Sequence, residues 1–396
     1  MEDPGVARWA ASGAMALTGL PDEPLGPPYG LVEEIDQLAR SFPGLDALAL
    51  LGERAALMGL WRRGTTSCGG SCRLFPCAGG FMGVSLPRAE DMESVPAWLE
   101  LDSVPSSGPA MWSSVASSLR VGDPAHLLRR AQLLGLPVAQ VGELAGGRAG
   151  VVRSLLGEAP PRSDVAGLVV VDLSALWAGP LCGDLLAQAG ATVVKVESTQ
   201  RPDGARRGSP EFFDLLNGRK LSVALDWQGQ SGIRILHALV RRADVVIEAS
   251  RPRALAQLGL DGPDLVRAGG PRLWVSITGY GRSGSSADRV GFGDDAAAAG
   301  GLVVWRDKVP LFCADAVADP LTGLTAAEAS LRALASGGRW LLDVSMSAVS
   351  AGLSGPTLAA SRGLPVAHPH ARPVVAGAPA LGADTARVLS ELGIDP

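Results

Sequence analysis

The sequence predicts an α/β fold: a doubly wound parallel sheet in the second part of the chain, preceded by a smaller α+β domain. Three observations predict it. From Val165 onward, short apolar runs alternate with segments of helical length, and strands that alternate with helices pair in parallel. Before that point the chain is helix-leaning and irregular, broken by "GLPDEPLGPPYG". A second Pro-rich break, "GEAPPRSD", separates the two textures and reads as a linker. The expected domains are therefore residues 1–160 and 165–396.

The elements follow in order. "GLVVVDLS" is a buried strand, and "PLCGDLLAQAG" is a helix that Gly190 ends as a C-terminal cap. "ATVVKVES" is the next strand, "SGIRILHALVRRA" a helix, "DVVIEAS" and "PRLWVSITGYG" two further strands. Sheets of this kind bind ligands at the carboxyl ends of their strands. Those ends read "DLSALWAGP", "KVESTQRPDGARR", "EASRPRAL" and "ITGYGRSG", rich in Gly and Arg. Arg201, Arg206, Arg207, Arg219, Lys220, Arg251 and Arg253 are ordinary surface charges taken singly. At a ligand-binding edge they point collectively to a phosphorylated ligand.

Bulk properties exclude several classes. The chain has 396 residues, 47% apolar and 19% charged, with a formal charge of -5. That is a globular composition with no electrostatic case for nucleic acid or an anionic membrane. No apolar run reaches spanning length, and "MEDPGVARWA" does not read as a signal peptide. Five cysteines in a chain this long do not suggest a disulfide framework, so a cytoplasmic protein is expected.

Cys68, Cys72 and Cys77 lack zinc-ligand spacing and have no neighbouring His, so no metal site is expected; Gly69 and Gly70 between them mark a mobile backbone loop. "GYGRSG" matches a dinucleotide fingerprint, but no helix opens directly after it, and a plain glycine-rich loop is the better reading. His368 and His370 stand in a Pro-rich loop. In "ADPLTGLTAA", Asp319 precedes Pro320 and a helical run, which suits an N-cap. A helix start also favours an ionised carboxylate, so a cap and a nucleophile are compatible roles.

The second half resembles the family III CoA-transferases, the family that also includes the alpha-methylacyl-CoA racemases. The likeness is carried in order by "VVVDLSALWAGPLCGDLLAQAGATVVKVES", "FFDLLNGRKLSVALD", "ADVVIEASRPRALAQLGL", "PRLWVSITGYGRSGSSADR", "ADPLTGLTAA" and "LGADTARVLSELG". The first half resembles the same family out of order. "ASGAMALTGLPDEPLGPP" is similar to a segment that normally precedes the catalytic aspartate, and "CGGSCRLFPCAGGFMGVSLPRAEDMESVPAWL" to one that normally follows it.

The resemblance implies a Rossmann-like CoA-binding domain, an interlocked homodimer, and an acyl-CoA:carboxylate CoA-transferase with acyl-CoA and a carboxylic acid as partners. It implies no permanently bound cofactor, coenzyme A entering as acyl-CoA substrate. Asp319, rather than Asp315, falls at the nucleophile position, and Gly69 and Gly70 would supply oxyanion-stabilising N–H groups. CoA contacts would fall on Leu176, Trp177, Ala178, Asn217, Lys220, Ser250, Arg251, Gly279 and Tyr280. Trp177 would stack on adenine or narrow the site. Racemases of the family pair the aspartate with a His; here "GFGDD" places Phe292 there, which disfavours two-base isomerisation. Transferases often carry Tyr and a carboxylate at that turn, and Phe292-Gly293 lacks both unless Asp294 substitutes. The alternatives are an acyl-CoA isomerase or racemase on the same fold, or a CoA-binding protein with impaired catalysis.

Overall fold

Runs such as "VVVD" and "VVIE" have no polar face, so they are stable only where a sheet is covered on both sides. The computed structural model of the chain describes residues 3–105, 107–145 and 149–395, and in it these runs are the centre of a seven-stranded sheet. In chain order the strands are β1 (Cys72–Cys77), β2 (Gly80–Ser85), β3 (Val138–Gln140), β4 (Val151–Gly157), β5 (Val169–Asp172), β6 (Thr192–Ser198), β7 (Leu221–Leu225), β8 (Val245–Glu248), β9 (Leu273–Thr278), β10 (Val304–Arg306), β11 (Val309–Leu311) and β12 (Arg339–Ser345). The large sheet runs β4-β12-β9-β8-β5-β6-β7. All its pairings are parallel except β4 with β12. Counting the parallel strands along the chain, their spatial order is 3-2-1-4-5-6, the doubly wound Rossmann order with its switch point between β5 and β8.

Each face has its own core. On one, the helices Ala178–Gln188 and Ala318–Ala335 pack with Val6, Trp9, Leu31 and Ile35 from the start of the chain. On the other, Leu236, Leu239, Val266 and Val388 come from the helices Gln230–Arg242, Gly262–Arg267 and Thr385–Glu391. The helix Ala318–Ala335 is buried along most of its length because it is built from small residues. A side chain at Gly323 would place its Cβ 2.7 Å from the Ala178 carbonyl oxygen, so the two helices touch backbone to side chain there.

A third core surrounds the antiparallel sheet β1-β2-β3 and holds Trp98, Met111, Val115 and Leu119. The expected boundary near residue 160 therefore falls after a strand of the large sheet, since β4 lies on its edge. Residues from Val6 to Leu51 also pack into the large core, while the separate small core draws on Met82 to Val138. The helix Gly293–Gly300 joins the two: a Cβ at Gly83 on β2 would lie 3.1 Å from Ala298.

Candidate active site

A cleft of about 260 Å³ opens at the carboxyl edge of the sheet. Its walls come from the turns after β5, β8 and β9, with Phe292, Asp319 and Met346 completing it. This is the switch point, where the connections leaving β5 and β8 diverge to opposite faces and leave a crevice.

The turn after β5 is held from below by buried charges. Lys220 Nζ donates to Asp172 at 2.8 Å and to the Pro180 carbonyl at 2.8 Å. Lys195 pairs with Asp203 at 2.9 Å and donates to the Ser174 carbonyl at 3.0 Å. Asp203 in turn accepts from the Leu176 N–H at 3.1 Å, fixing that residue in a left-handed conformation with φ 69°. Gly179 is required here, because a Cβ would meet Ser174 at 2.3 Å. The "AGP" turn is thus a consequence of close backbone approach and of an ionic support beneath it.

Asp319 sits in the first turn of the helix Ala318–Ala335 rather than at its cap, and Pro320 follows within that turn. The N-cap is Val317, already in helical conformation, and no side chain caps the helix. The expected cap role is therefore corrected: the turn before Asp319 is wound tightly enough that its N–H donates to the Ala316 carbonyl at 2.9 Å. That leaves the carboxylate free to face the cleft, half-buried. Gly293 donates its backbone N–H to this carboxylate. A Cβ at Gly293 would lie 2.3 Å from Asp319 Oδ2 and 2.4 Å from the Ala316 carbonyl oxygen. The glycine in "GFGDD" is the space into which Asp319 fits.

Three carboxylates and one cation gather around this point. Arg54, from the helix Glu53–Met58, holds the fully buried Asp315 with two hydrogen bonds of 2.8 and 2.6 Å. Its guanidinium lies 5.0 Å from the Trp177 ring centroid. Burial pushes the Asp319 carboxyl up to about 7; Arg54 opposes the rise, while Asp294 and Asp315 add to it. Asp294 is pushed up to about 6, chiefly by burial and by Asp315, although Ser67 and Arg54 stabilise its charge. Burial also raises the neighbouring Asp295, whose Oδ1 accepts from the Phe292 N–H at 3.0 Å. The helix start thus does not by itself secure the ionised form of Asp319, because desolvation outweighs it.

The residues expected from sequence divide into two groups. Leu176, Ala178, Ser250, Arg251, Gly279 and Asp319 line the cleft. Trp177 is buried, edge-on to Phe212, and is not presented for stacking on a ligand. Asn217, Lys220 and Tyr280 are buried as well: Asn217 donates to the Phe213 carbonyl at 3.0 Å, and the Tyr280 ring lies 3.7 Å below the Arg289 guanidinium. Gly69 and Gly70 stand beside the site rather than on the cleft wall; a Cβ at Gly69 would be 3.4 Å from Arg54 Nη2, and Gly70 has φ 82°. Part of the expected cluster is spent internally, with Arg206 on Glu197, Arg219 on Asp184 and Lys220 on Asp172.

Arg88, Arg289 and Phe292 also line the cleft, the first two unforeseen from sequence. Arg88 reaches over the Phe292 ring at 5.5 Å and pairs with Asp91. Arg54 was equally unforeseen. Nothing in "GERAAL" singles it out, and its partner lies 261 positions away.

Residues 165–383 match the family model described as CoA-transferase family III. The chain belongs to the family III CoA-transferases. Among relatives of this family III chain, a succinate–glutarate CoA-transferase of Agrobacterium fabrum is 35% identical over 192 residues, 44% of this chain and 47% of that protein. The beta subunit of a succinyl-CoA–L-malate CoA-transferase of Chloroflexus aurantiacus is 38% identical over 146 residues, covering 35% of this chain and 36% of that one. A CAIB/BAIF family protein from Brucella suis has a solved structure that is 31% identical, with a TM-score of 0.43 over 49% of this chain and 55% of that chain. The family III chain spans about half the length of the curated relatives it matches.

Proposed function

We propose that this family III chain transfers CoA between an acyl-CoA and a free carboxylic acid, with Asp319 as the nucleophile. The observation that carries this reading is a single carboxylate facing the cleft at the switch point, in a pocket that needs Gly293 to admit it. The Asp319 carboxylate attacks the thioester carbonyl, the C–S bond breaks, and CoA thiolate leaves a mixed anhydride. The thiolate then attacks the aspartyl carbonyl, releasing the donor acid and forming an aspartyl-CoA thioester. The acceptor carboxylate displaces the thiolate to form a second anhydride. Attack of the thiolate on the acceptor's carbonyl yields the new acyl-CoA and restores Asp319.

Burial suits each step, since water would hydrolyse the anhydride. A carboxylate raised towards neutrality is also a stronger nucleophile than an ordinary one, and near pH 7 a substantial fraction remains ionised. The N–H groups of Gly69 and Gly70 stabilise the oxyanion in this reading, after a movement of their loop towards the cleft. Coenzyme A is substrate and not a resident cofactor, and an interlocked homodimer is part of the same proposal, resting on the family resemblance. Among the described residues no helix is long and apolar enough to cross a membrane. Phe292, packed under Arg88, offers no second base for isomerisation.

The test is intact-mass analysis of wild type and D319N after quenching with a panel of acyl-CoA thioesters that includes succinyl-CoA. A CoA adduct on wild type, mapped to Asp319 and missing from D319N, is expected. Binding of CoA with neither adduct nor exchange for any member of the panel would overturn the assignment.

A further inference from the structure

We propose that Arg54 is a positioning residue for the nucleophile: through Asp315 it clamps the strained turn that aims Asp319 into the cleft, and it provides the cation that faces that carboxylate. The inference rests on the assignment of Asp319 above and goes beyond it, because Arg54 comes from the first part of the chain, 261 positions from the acid it holds.

The turn is unusual in its backbone. Ala314 and Ala316, on either side of Asp315, both have positive φ, 54° and 43°. Alanine gains nothing from that region, and such residues persist only where their surroundings over-determine them. Here the surroundings come from the start of the chain. Thr18 Oγ1 accepts from the Ala314 N–H at 3.0 Å, Cys68 Sγ lies 3.6 Å from the Ala314 carbonyl oxygen, and the Asp315 N–H donates to the Leu51 carbonyl at 3.4 Å. The two-pronged Arg54–Asp315 pair is the strongest of these ties, being charged and bidentate, with its carboxylate fully buried. The carbonyl of Ala316 accepts the Asp319 N–H, so the turn's conformation sets where the nucleophile's helix begins.

Arg54 is also placed to act on charge. Facing Asp319 are Asp294 and Asp295 from the helix Gly293–Gly300, Asp315 from the turn and Arg54 from the helix Glu53–Met58; the Cys68 thiol lies beside Arg54, and Arg88, Arg251 and Arg289 stand on the cleft walls. Of these, Arg54 is the cation that lowers the nucleophile's pKa and so opposes Asp294 and Asp315, which raise it.

The experiment compares R54Q, R54K and the double variant R54Q/D315N with wild type. It reads the rate of CoA-adduct formation on Asp319 across pH 5 to 9, using whichever acyl-CoA of the panel labels wild type fastest. For R54Q the labelling midpoint is expected to move up by about 1 unit and the rate at pH 7 to fall roughly tenfold. R54K keeps the charge and is expected to restore the midpoint but only part of the rate, having one point of attachment in place of a fork. The double variant guards against misfolding, since it removes both charges of the pair and leaves neither orphaned. It is expected to fold with a wild-type circular dichroism spectrum and still label slowly, because the turn is no longer clamped. Labelling of R54Q, or of the double variant, at the wild-type rate with an unmoved midpoint would overturn the role of Arg54. So would a lowered melting temperature with an unchanged pH profile, which marks a purely structural residue. If wild type itself forms no adduct, the nucleophile assignment fails, and this inference with it.

Discussion

At the scale of single residues, the site is governed by what burial does to carboxylates. The Asp319 carboxyl is raised to about 7 and that of Asp294 to about 6, both mainly by desolvation. A carboxyl whose folded pKa lies above its unfolded value binds its proton more tightly when folded. It therefore costs stability as pH rises from the unfolded value, about 4, through the folded one. D319N is expected to raise the melting temperature at pH 8, with the gain shrinking below about pH 7 and vanishing near pH 4; thermal scans at those pH values check it. On the proposed mechanism adduct formation should run the other way, falling as pH drops below about 7, where Asp319 takes up a proton. Gly293 offers a steric counterpart. G293A would force a methyl group into Asp319 and the Ala316 carbonyl, and it should reduce CoA exchange at least tenfold while CoA binding, measured by calorimetry, persists. Asp319 was legible from its motif. Gly293 was legible only as a missing carboxylate, since a sequence does not reveal that the space it leaves is already filled.

At the scale of elements, the strands and helices of the second half were plain from their apolar runs, and the boundaries of β5, β6, β8 and β9 fall inside the segments expected. The helix Ala318–Ala335 was legible too, but its start was not. Asp-Pro normally opens a helix, whereas here the preceding turn, held by the N-terminal segment, has already begun it. That helix packs on Ala178–Gln188 through Gly323. G323V should therefore cost about 1–3 kcal/mol by overpacking, read from chemical denaturation at constant slope. The buried Lys220–Asp172 pair belongs to the same scale. It supports the turn after β5, so K220M should destabilise by about 3–5 kcal/mol through an orphaned carboxylate. In the fraction that remains folded, the dissociation constant for free CoA should change little, which a ligand contact would not allow.

At the scale of the whole molecule, the first part of the chain is not an appendage. Val6, Trp9, Leu31, Ile35 and Leu51 share one core with β5, β8 and the helix Ala318–Ala335. Deletion of residues 1–60 is accordingly expected to give protein that aggregates or lacks a cooperative thermal transition by calorimetry. A stable, CoA-binding fragment 61–396 would contradict it. The small core around Trp98 and Met111 is the part with the greatest independence. The Pro-rich break near residue 160 follows the edge strand β4, which is paired with β12 far along the chain, a contact that linker-like composition does not reveal.

By itself the sequence determined the periodicities: which runs are buried, where helices alternate with them, and hence a doubly wound sheet with a ligand edge. It also carried the register of Asp319 within a run of family-like segments. Only the tertiary structure decided what surrounds that residue. Arg54, Asp294 and Asp315 belong to three separate elements, and no local propensity encodes their meeting. The pairing of Arg54 with Asp315 closes a separation of 261 residues. Local patterns report the free energy of a segment in its own turn or strand. The protonation of a buried carboxylate depends instead on which distant charges share its low-dielectric pocket, and that is fixed only when the cores close around it.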